Sequence, residues 1–235
     1  MSSFLLKDTQ SKEKFEKWLI ESIVEYAREA DLKWGDEDTL CEHFYKAIGG
    51  QLTTPTGQLK IASYKTRGRG PAAPEKKLGA DGICLVNINT QHASLKGFFL
   101  FQAKKTRKLT LSLRDSSTEC TTMLLHTAAC YLLVLMPREV KMAGAMAVQS
   151  CRKKDPALNR IPFVSFLRFA VEQLLHGLML EPFSKAIDLF TGDLRDEIKH
   201  VLTVVGSAPD AMAEAQRITE AELSQLRFEL SRNDG

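Results

Sequence analysis

The sequence lacks the long apolar runs that mark membrane proteins. No segment approaches about 18 uninterrupted apolar residues, the length that a membrane-spanning helix needs. The opening stretch, MSSFLLKDTQSKEKFEKW, has no basic region followed by a long apolar run and no small-residue cleavage site. These absences argue against a membrane protein and favour a soluble protein of the cytoplasm.

Several signatures of catalytic and metal sites are also missing. TRGRG lacks the GK[ST] ending of a phosphate-binding loop, and no GxSxG serine elbow occurs. The histidines are scattered, which is typical of surface or satisfied core residues. The five cysteines are odd in number and form no CxxC pair, which favours reduced, mostly buried thiols: Cys41, Cys84, Cys120, Cys130 and Cys151.

What the chain does contain is enough apolar material for one sizeable core. It has 235 residues, of which 44% are apolar and 26% are charged. The net charge of +3 is small, but the basic residues are clustered. We interpret the clusters as contacts to nucleic-acid phosphates, with a solvated loop as the alternative: Lys60, Lys65, Arg67, Arg69, Lys76, Lys77, Lys105 and Arg107.

Apolar spacing predicts an α/β or α+β fold. Helices are expected over 11–30, from GDEDTL to Gly49 and Gly50, and over 113–127. Strands are expected in ADGICLVNI and GFFLFQAKK, which are spaced as a hairpin, and in CYLLVLMP and VKMAGAMAV. The Pro- and Gly-bearing stretch TTPTGQLKIASYKTRGRGPAAPEKK is expected to be a loop.

The same patterns divide the chain into three regions. Residues 1–35 form an N-terminal helical segment, and residues 36–155 form a core around a central sheet of about four strands flanked by helices. Residues 156–235 are expected to be helical, including DLRDEIKHVL, and to pack on the core or serve assembly.

The strand GFFLFQAKK ends in polar residues that suit chemistry. Because side chains alternate along a strand, Gln102 and Lys104 share one face, and Phe99, Phe101 and Ala103 share the other. Asp81 begins the preceding strand, and in an antiparallel hairpin it meets the end of the second strand. We therefore expect Asp81 to lie beside Gln102 and Lys104.

An acid, a neutral carbonyl oxygen and a lysine suit a hard divalent cation such as Mg²⁺ or Mn²⁺. The backbone carbonyl of Ala103 adds a further oxygen. Such a cation polarises a phosphoryl oxygen and activates water, while Lys104 orients or deprotonates that water or offsets charge in the transition state. This combination indicates phosphodiester hydrolysis.

GADG followed by FQAKK resembles the PD-(D/E)xK nuclease superfamily in the QxK form of Mrr-like restriction enzymes and of nuclease effectors of bacterial antiphage systems. The resemblance covers roughly residues 36 to 150 and implies a restriction-endonuclease-like core of mixed strands. It matches Asp81 to the metal-binding aspartate, Gln102 to the position usually held by Glu or Asp, and Lys104 to the catalytic lysine.

The resemblance also implies a glutamate from the first core helix. Glu37 lies on the face marked by Leu40 and Phe44, whereas Glu42 turns towards solvent, so we assign Glu37 as the catalytic and metal-binding glutamate. Glu75 is an additional candidate acid. Since a glutamine oxygen is neutral, Glu37 and Glu75 have to supply the missing negative charge.

These observations predict a metal-dependent DNA endonuclease, and the resemblance to the QxK effectors implies the effector subunit of a bacterial defence complex. An ATPase or a sensor, and further copies of the chain, are the expected partners. The alternative is an inactive nuclease-fold protein that binds nucleic acid or holds a complex together, and an RNA nuclease has the same signature. Each residue also has an ordinary interpretation: helix N-terminal acids, a turn aspartate and a solvated strand end.

Overall fold

The predicted class, a mixed sheet flanked by helices, is confirmed, but the sheet has eight strands rather than about four. The computed structural model describes residues 9–55, 57–65, 78–90, 93–107, 113–150, 163–170, 180–190, 198–208 and 211–231. The helices are α1 Thr9–Leu32, α2 Glu37–Ile48, α3 Leu113–His126, α4 Ala145–Ser150, α5 Phe166–Phe169, α6 Phe183–Phe190 and α7 Met212–Ser231. Within this described part of the chain, no helix is long and apolar enough to cross a membrane.

Helix α2 begins and ends where the sequence predicts. The Asp36 carboxylate accepts a hydrogen bond from Thr39 N at 2.7 Å and satisfies one of the free amides at the helix start. At the other end, Gly49 N donates to the Tyr45 carbonyl at 2.9 Å. These two caps fix the register of α2, and with it the position of the acids in its first turn.

The strands are β1 Gly50–Thr54, β2 Gly57–Lys65, β3 Gly82–Thr90, β4 Ala93–Lys105, β5 Cys130–Leu135, β6 Val140–Gly144, β7 Val164–Ser165 and β8 His200–Ser207. Their order in the sheet is β1-β2-β8-β3-β4-β5-β6-β7. Strands β3 and β4 form the predicted antiparallel hairpin, and β4 runs parallel to β5.

The prediction of a loop over TTPTGQLKIASYKTRGRGPAAPEKK is wrong for the first half of that stretch, which belongs to the β1–β2 hairpin. Its proline and glycine lie at the turn rather than inside a strand, and the Thr54 hydroxyl donates to the Gly57 carbonyl at 2.9 Å. Buried and partly exposed residues alternate along β2, as a half-covered strand requires. VKMAGAMAV likewise divides into β6 and the short helix α4.

The helical description of 156–235 is wrong for its central element. His200–Ser207, which overlaps the predicted helix DLRDEIKHVL, forms β8 between β2 and β3, antiparallel to the first and parallel to the second. All eight of its residues are buried, because the sheet covers both strand edges and helices cover both faces. The boundaries after residues 35 and 155 remain predictions.

Two apolar layers lie on the faces of the sheet. On one face, α1, α2 and α5 cover Phe99 and Phe101 of β4, and the ring centre of Tyr45 lies 6.0 Å from that of Phe101. On the other face, the apolar residues of α3, α4, α6 and α7 cover Leu100 and its neighbours. Phe99 and Phe101 therefore lie on the α2 side of the sheet. Gln102 and Lys104 lie on the α3 side, which they share with Phe98.

Candidate nuclease site at one edge of the sheet

The polar end of β4 extends past the start of β3. Gly82, the first residue of β3, pairs with Phe101 of β4 and with His200 of β8. Gln102–Lys105 therefore lie beyond the ladder on that side. We call this place the site edge: Asp81, Gln102–Lys105, Lys199 and the first turn of α2.

Asp81 is fixed at the site edge by its backbone and its side chain. Its amide donates to the Phe101 carbonyl at 2.9 Å, and its carbonyl accepts from Lys199 N at 2.8 Å and His200 N at 3.1 Å. Its carboxylate Oδ2 accepts from Ala103 N at 3.0 Å. The side chain of Asp81 thus continues the hydrogen-bond ladder just before the first residue of β3. Asp81 is only 2% exposed.

Both glycines of GADG have a structural reason. Gly79 has φ +72°, and a Cβ there would come within 2.5 Å of the Glu119 carbonyl on α3. A Cβ on Gly82 would come within 2.8 Å of the His200 carbonyl and would meet the Phe101 ring. The two glycines therefore let the Asp81 segment pack closely against α3 on one side and against β4 and β8 on the other.

Lys104 is held as an ammonium ion by Glu119. Its Nζ lies 2.9 Å from Glu119 Oε1 and 2.8 Å from Oε2, and each side chain is about one-fifth exposed. Burial alone lowers the pKa of Lys104, but the hydrogen bond and charge of Glu119, with the charges of Glu37 and Asp81, outweigh burial and raise it. Lys104 is therefore suited to offset negative charge rather than to remove a proton.

The amide of Gln102 is completely buried beside the same segment. Its Nε2 donates to the Ala103 carbonyl at 3.1 Å. Because the amide and the carbonyl of one residue in an antiparallel pair face the same neighbour, this carbonyl lies on the side of Ala103 that meets Asp81. The Ala103 carbonyl and the amide group of Gln102 are therefore in contact beside Asp81.

Glu37 reaches the site edge and Glu42 does not. Glu37 Oε2 accepts from Lys105 N at 3.3 Å. Since Ala103 and Lys105 are two residues apart, their amides point to the same side of β4, and Asp81 and Glu37 accept from successive amides on that side. The carboxylate of Glu42 instead pairs with the exposed ammonium of Lys65.

Three charged residues at or beside the site edge were absent from the sequence-based predictions: Asp38, Glu119 and Lys199. Glu119 had a usable signal, because it lies between the buried Ser116 and Met123 at helical spacing. Lys199 had none, because it directly precedes β8, which the sequence reading treated as helical. Asp38 also had none.

Part of the predicted basic surface borders the site edge. Lys65 ends β2 next to His200, and Arg107 follows β4 with its guanidinium 5.3 Å from the Trp34 ring centre. Lys105 Nζ is used internally and donates to the Gly35 carbonyl at 2.7 Å. Lys65 and Arg107 are both exposed and so are placed to meet a polyanion near the site.

The remaining predicted basic residues do not extend this surface. Lys60 lies five residues before Lys65, about 17 Å along the strand, and donates to Gln216 Oε1 of α7 at 3.2 Å. Its side chain is therefore turned to a helix, away from the site edge. The other predicted residues lie outside the described part of the chain: Arg67, Arg69, Glu75, Lys76 and Lys77.

The donors at the site edge fit a hard cation that keeps several waters. Among the residues that the structure describes, no group of three His, Cys, Asp or Glu side chains is arranged to hold a metal ion. Mg²⁺, however, is commonly held by one or two carboxylates together with waters and neutral oxygens. Asp81 and Glu37 supply the carboxylates, and Gln102 and Ala103 supply the neutral oxygens.

Protein-family models, curated proteins and solved structures contain no match to this chain. The site edge itself is therefore the basis for assigning a function. It combines a buried acid, a second acid from a helix, an amide and an ammonium ion beside an exposed basic rim. These groups are suited to bind a phosphodiester and to stabilise the negative charge that develops during its hydrolysis.

Proposed function

We propose that the chain is a cytoplasmic, metal-dependent endonuclease that hydrolyses DNA phosphodiester bonds. The observation that carries the proposal is the hydrogen bond of 3.0 Å from Ala103 N to Asp81 Oδ2. It brings a buried acid against the Gln-Ala-Lys segment, which is the arrangement that hydrolysis by the PD-(D/E)xK nucleases requires. The resemblance of GADG and FQAKK to that superfamily supports the same assignment.

Five residues of the site edge have a role in the proposal. Asp81 and Glu37 would hold Mg²⁺ or Mn²⁺ together with the oxygens of Gln102 and Ala103. Such a cation would polarise a phosphoryl oxygen and lower the pKa of the attacking water. Lys104 donates hydrogen bonds to the phosphate oxygens as they gain negative charge, and Glu119 keeps its ammonium oriented.

The substrate and partners follow from the basic rim and from the family resemblance. Lys65 and Arg107 contact phosphates on either side of the cleaved bond, and such contacts are indifferent to base sequence. We propose that the chain is the effector subunit of a bacterial antiphage complex, partnered with an ATPase or a sensor and activated by oligomerisation.

One observation favours a second function. Gln102 replaces a carboxylate, and its amide donates to the Ala103 carbonyl, so the two neutral ligands are hydrogen-bonded to each other. This arrangement weakens the hold on a cation compared with a second carboxylate. The alternative is therefore a nuclease-fold protein that binds nucleic acid, or holds a complex together, without cutting.

The test is cleavage of plasmid, linear and single-stranded DNA, with an RNA control, in Mg²⁺ or Mn²⁺. The wild type is compared with Asp81→Asn and Lys104→Met. Lys185→Met is the matched control, because Lys185 also pairs with a glutamate, Glu181, at 3.3 Å but lies outside the site edge. Circular dichroism checks that each variant is folded.

The nuclease proposal expects metal-dependent cutting that is lost in D81N and K104M and kept in K185M. Cutting by folded D81N at the wild-type rate would refute the assigned site. No cutting by the wild type, alone or with the products of neighbouring genes, together with retained DNA binding, would establish the binding-protein alternative.

A further inference from the structure

Lys199 places a second ammonium ion at the site edge. Its backbone amide donates to the Asp81 carbonyl at 2.8 Å, which fixes its Cα next to that acid. Its Nζ lies 3.1 Å from Asp38 Oδ1, 3.5 Å from Asp38 Oδ2 and 4.0 Å from Asp81 Oδ1. The ammonium therefore lies between an acid of α2 and the central acid of the site.

The two lysines of the site edge are balanced in different ways. Lys104 has its own counter-ion, since both oxygens of Glu119 lie within 2.9 Å of its Nζ and Glu119 belongs to α3. Lys199 is paired instead with Asp38 and with the proposed metal ligand Asp81. A cation that binds Asp81 therefore competes with Lys199 and leaves the Lys104 pair intact.

We propose that the Lys199 ammonium occupies the cation position beside Asp81, and that a divalent metal ion displaces it on binding. This inference rests on the metal site of the proposed function. A metal ion and an ammonium ion repel each other and compete for the same carboxylate oxygens, so they do not share Asp81 at contact distance. The Lys199 side chain is 29% exposed, so its ammonium can move into solvent without leaving a buried charge.

In the absence of metal, the ammonium of Lys199 stabilises the site. Asp38 and Asp81 would otherwise repel each other, and the ammonium offsets that repulsion by hydrogen bonds to Asp38 and by its positive charge 4.0 Å from Asp81 Oδ1. The same contact lowers the affinity for a divalent ion, because the ion has to break it. Removing the charge of Lys199 should therefore tighten metal binding, which is the opposite of what loss of a ligand does.

The first experiment is calorimetric titration of the full chain with Mn²⁺ and with Ca²⁺. The proteins are the wild type, Lys199→Met, Lys199→Gln, Asp81→Asn and Lys185→Met. Lys199→Gln is included because its amide keeps a hydrogen bond to Asp38 if the methionine variant does not fold. We expect both Lys199 variants to bind metal at least tenfold more tightly than the wild type, and K185M to bind as the wild type does.

The second experiment needs no substitution in Lys199. Acetylation of lysines by an amine-reactive ester, followed by mass spectrometry, measures how accessible each ammonium is. We expect Ca²⁺ to raise the modification rate of Lys199 several-fold and to leave those of Lys104 and Lys185 unchanged. A Lys199 rate that does not change at saturating Ca²⁺ would overturn displacement.

The outcomes separate this inference from the proposed function. Tighter binding in the Lys199 variants, with binding lost in Asp81→Asn, supports both. Equal or weaker binding in the Lys199 variants, with binding still lost in D81N, overturns displacement and leaves the metal-dependent nuclease in place. No Mn²⁺ or Ca²⁺ binding by any of these proteins overturns both.

Discussion

Removing the charge of Glu119 should uncouple Lys104 from α3. The ammonium lies 2.8 Å from Glu119 Oε2, and two unit charges at that distance attract by about 6 kcal/mol at an effective dielectric constant of about 20. Desolvation of two side chains that are about four-fifths buried offsets most of this attraction. We expect a net coupling free energy of about 2 kcal/mol.

The assay is a double-mutant cycle. The free energy of unfolding in urea is measured for the wild type, Glu119→Gln, Lys104→Met and the double variant. Glu181 and Lys185 give a matched reference cycle, because Glu181 is also 21% exposed but its partner Lys185 is 43% exposed. That more exposed pair should show a coupling below about 1 kcal/mol.

The coupling should also depend on pH in one direction. The pKa of Lys104 is raised above its ordinary value of 10.5, so its stabilising effect is present below pH 10.5 and is lost as pH rises through the pKa of the folded state. Equal couplings in the two cycles at pH 7, or no weakening of the Glu119–Lys104 coupling at alkaline pH, would refute the assignment of Lys104 as a held ammonium ion.

Two further predictions concern stability. Gly79→Ala combines a strained φ with a clash against Glu119, so it should lower the free energy of unfolding, measured in urea, by about 1–3 kcal/mol. Gly144→Ala is the control, because nothing lies within 4 Å of the added Cβ. A loss in Gly79→Ala no larger than that in the control would contradict this prediction. Burial lowers the pKa of His200 although nearby carboxylates oppose it, so stability should fall as pH drops below the ordinary value of 6.5. His200→Leu should reduce this loss of stability between pH 7.5 and 5.5. If the free energy of unfolding of the variant depends on pH as that of the wild type does, other groups cause the loss.

The central part of the site could be predicted because it depends on local geometry. Side chains alternate along a strand, so QAK at the end of an aromatic strand fixes which residues face together. A hairpin brings the start of one strand to the end of the next, and this places Asp81 beside Ala103. Both rules use residues that are close in sequence or paired in a hairpin.

The rest of the fold has no such local signal. Strand β8 is apolar on both faces, and a short apolar stretch fits a buried helix and a buried strand equally well. The β1–β2 hairpin was missed for a different reason: its proline and glycine mark the turn, and the alternation in β2 is interrupted by polar residues. In both cases the structure of the segment depends on the strand with which it pairs, and the sequence alone does not identify that strand.

The position of β8 changes what the proposed nuclease core contains. The Asp81 carbonyl accepts two amides from β8, at Lys199 and His200, and a parallel pair such as β3 and β8 needs a long connection. Residues 36–155 alone would leave that buried carbonyl without these partners and would remove Lys199 from the acids of the site. The site edge is therefore complete only when β8 is part of the sheet. The geometry of Asp81 is therefore set by the C-terminal region as much as by the hairpin that carries the motif.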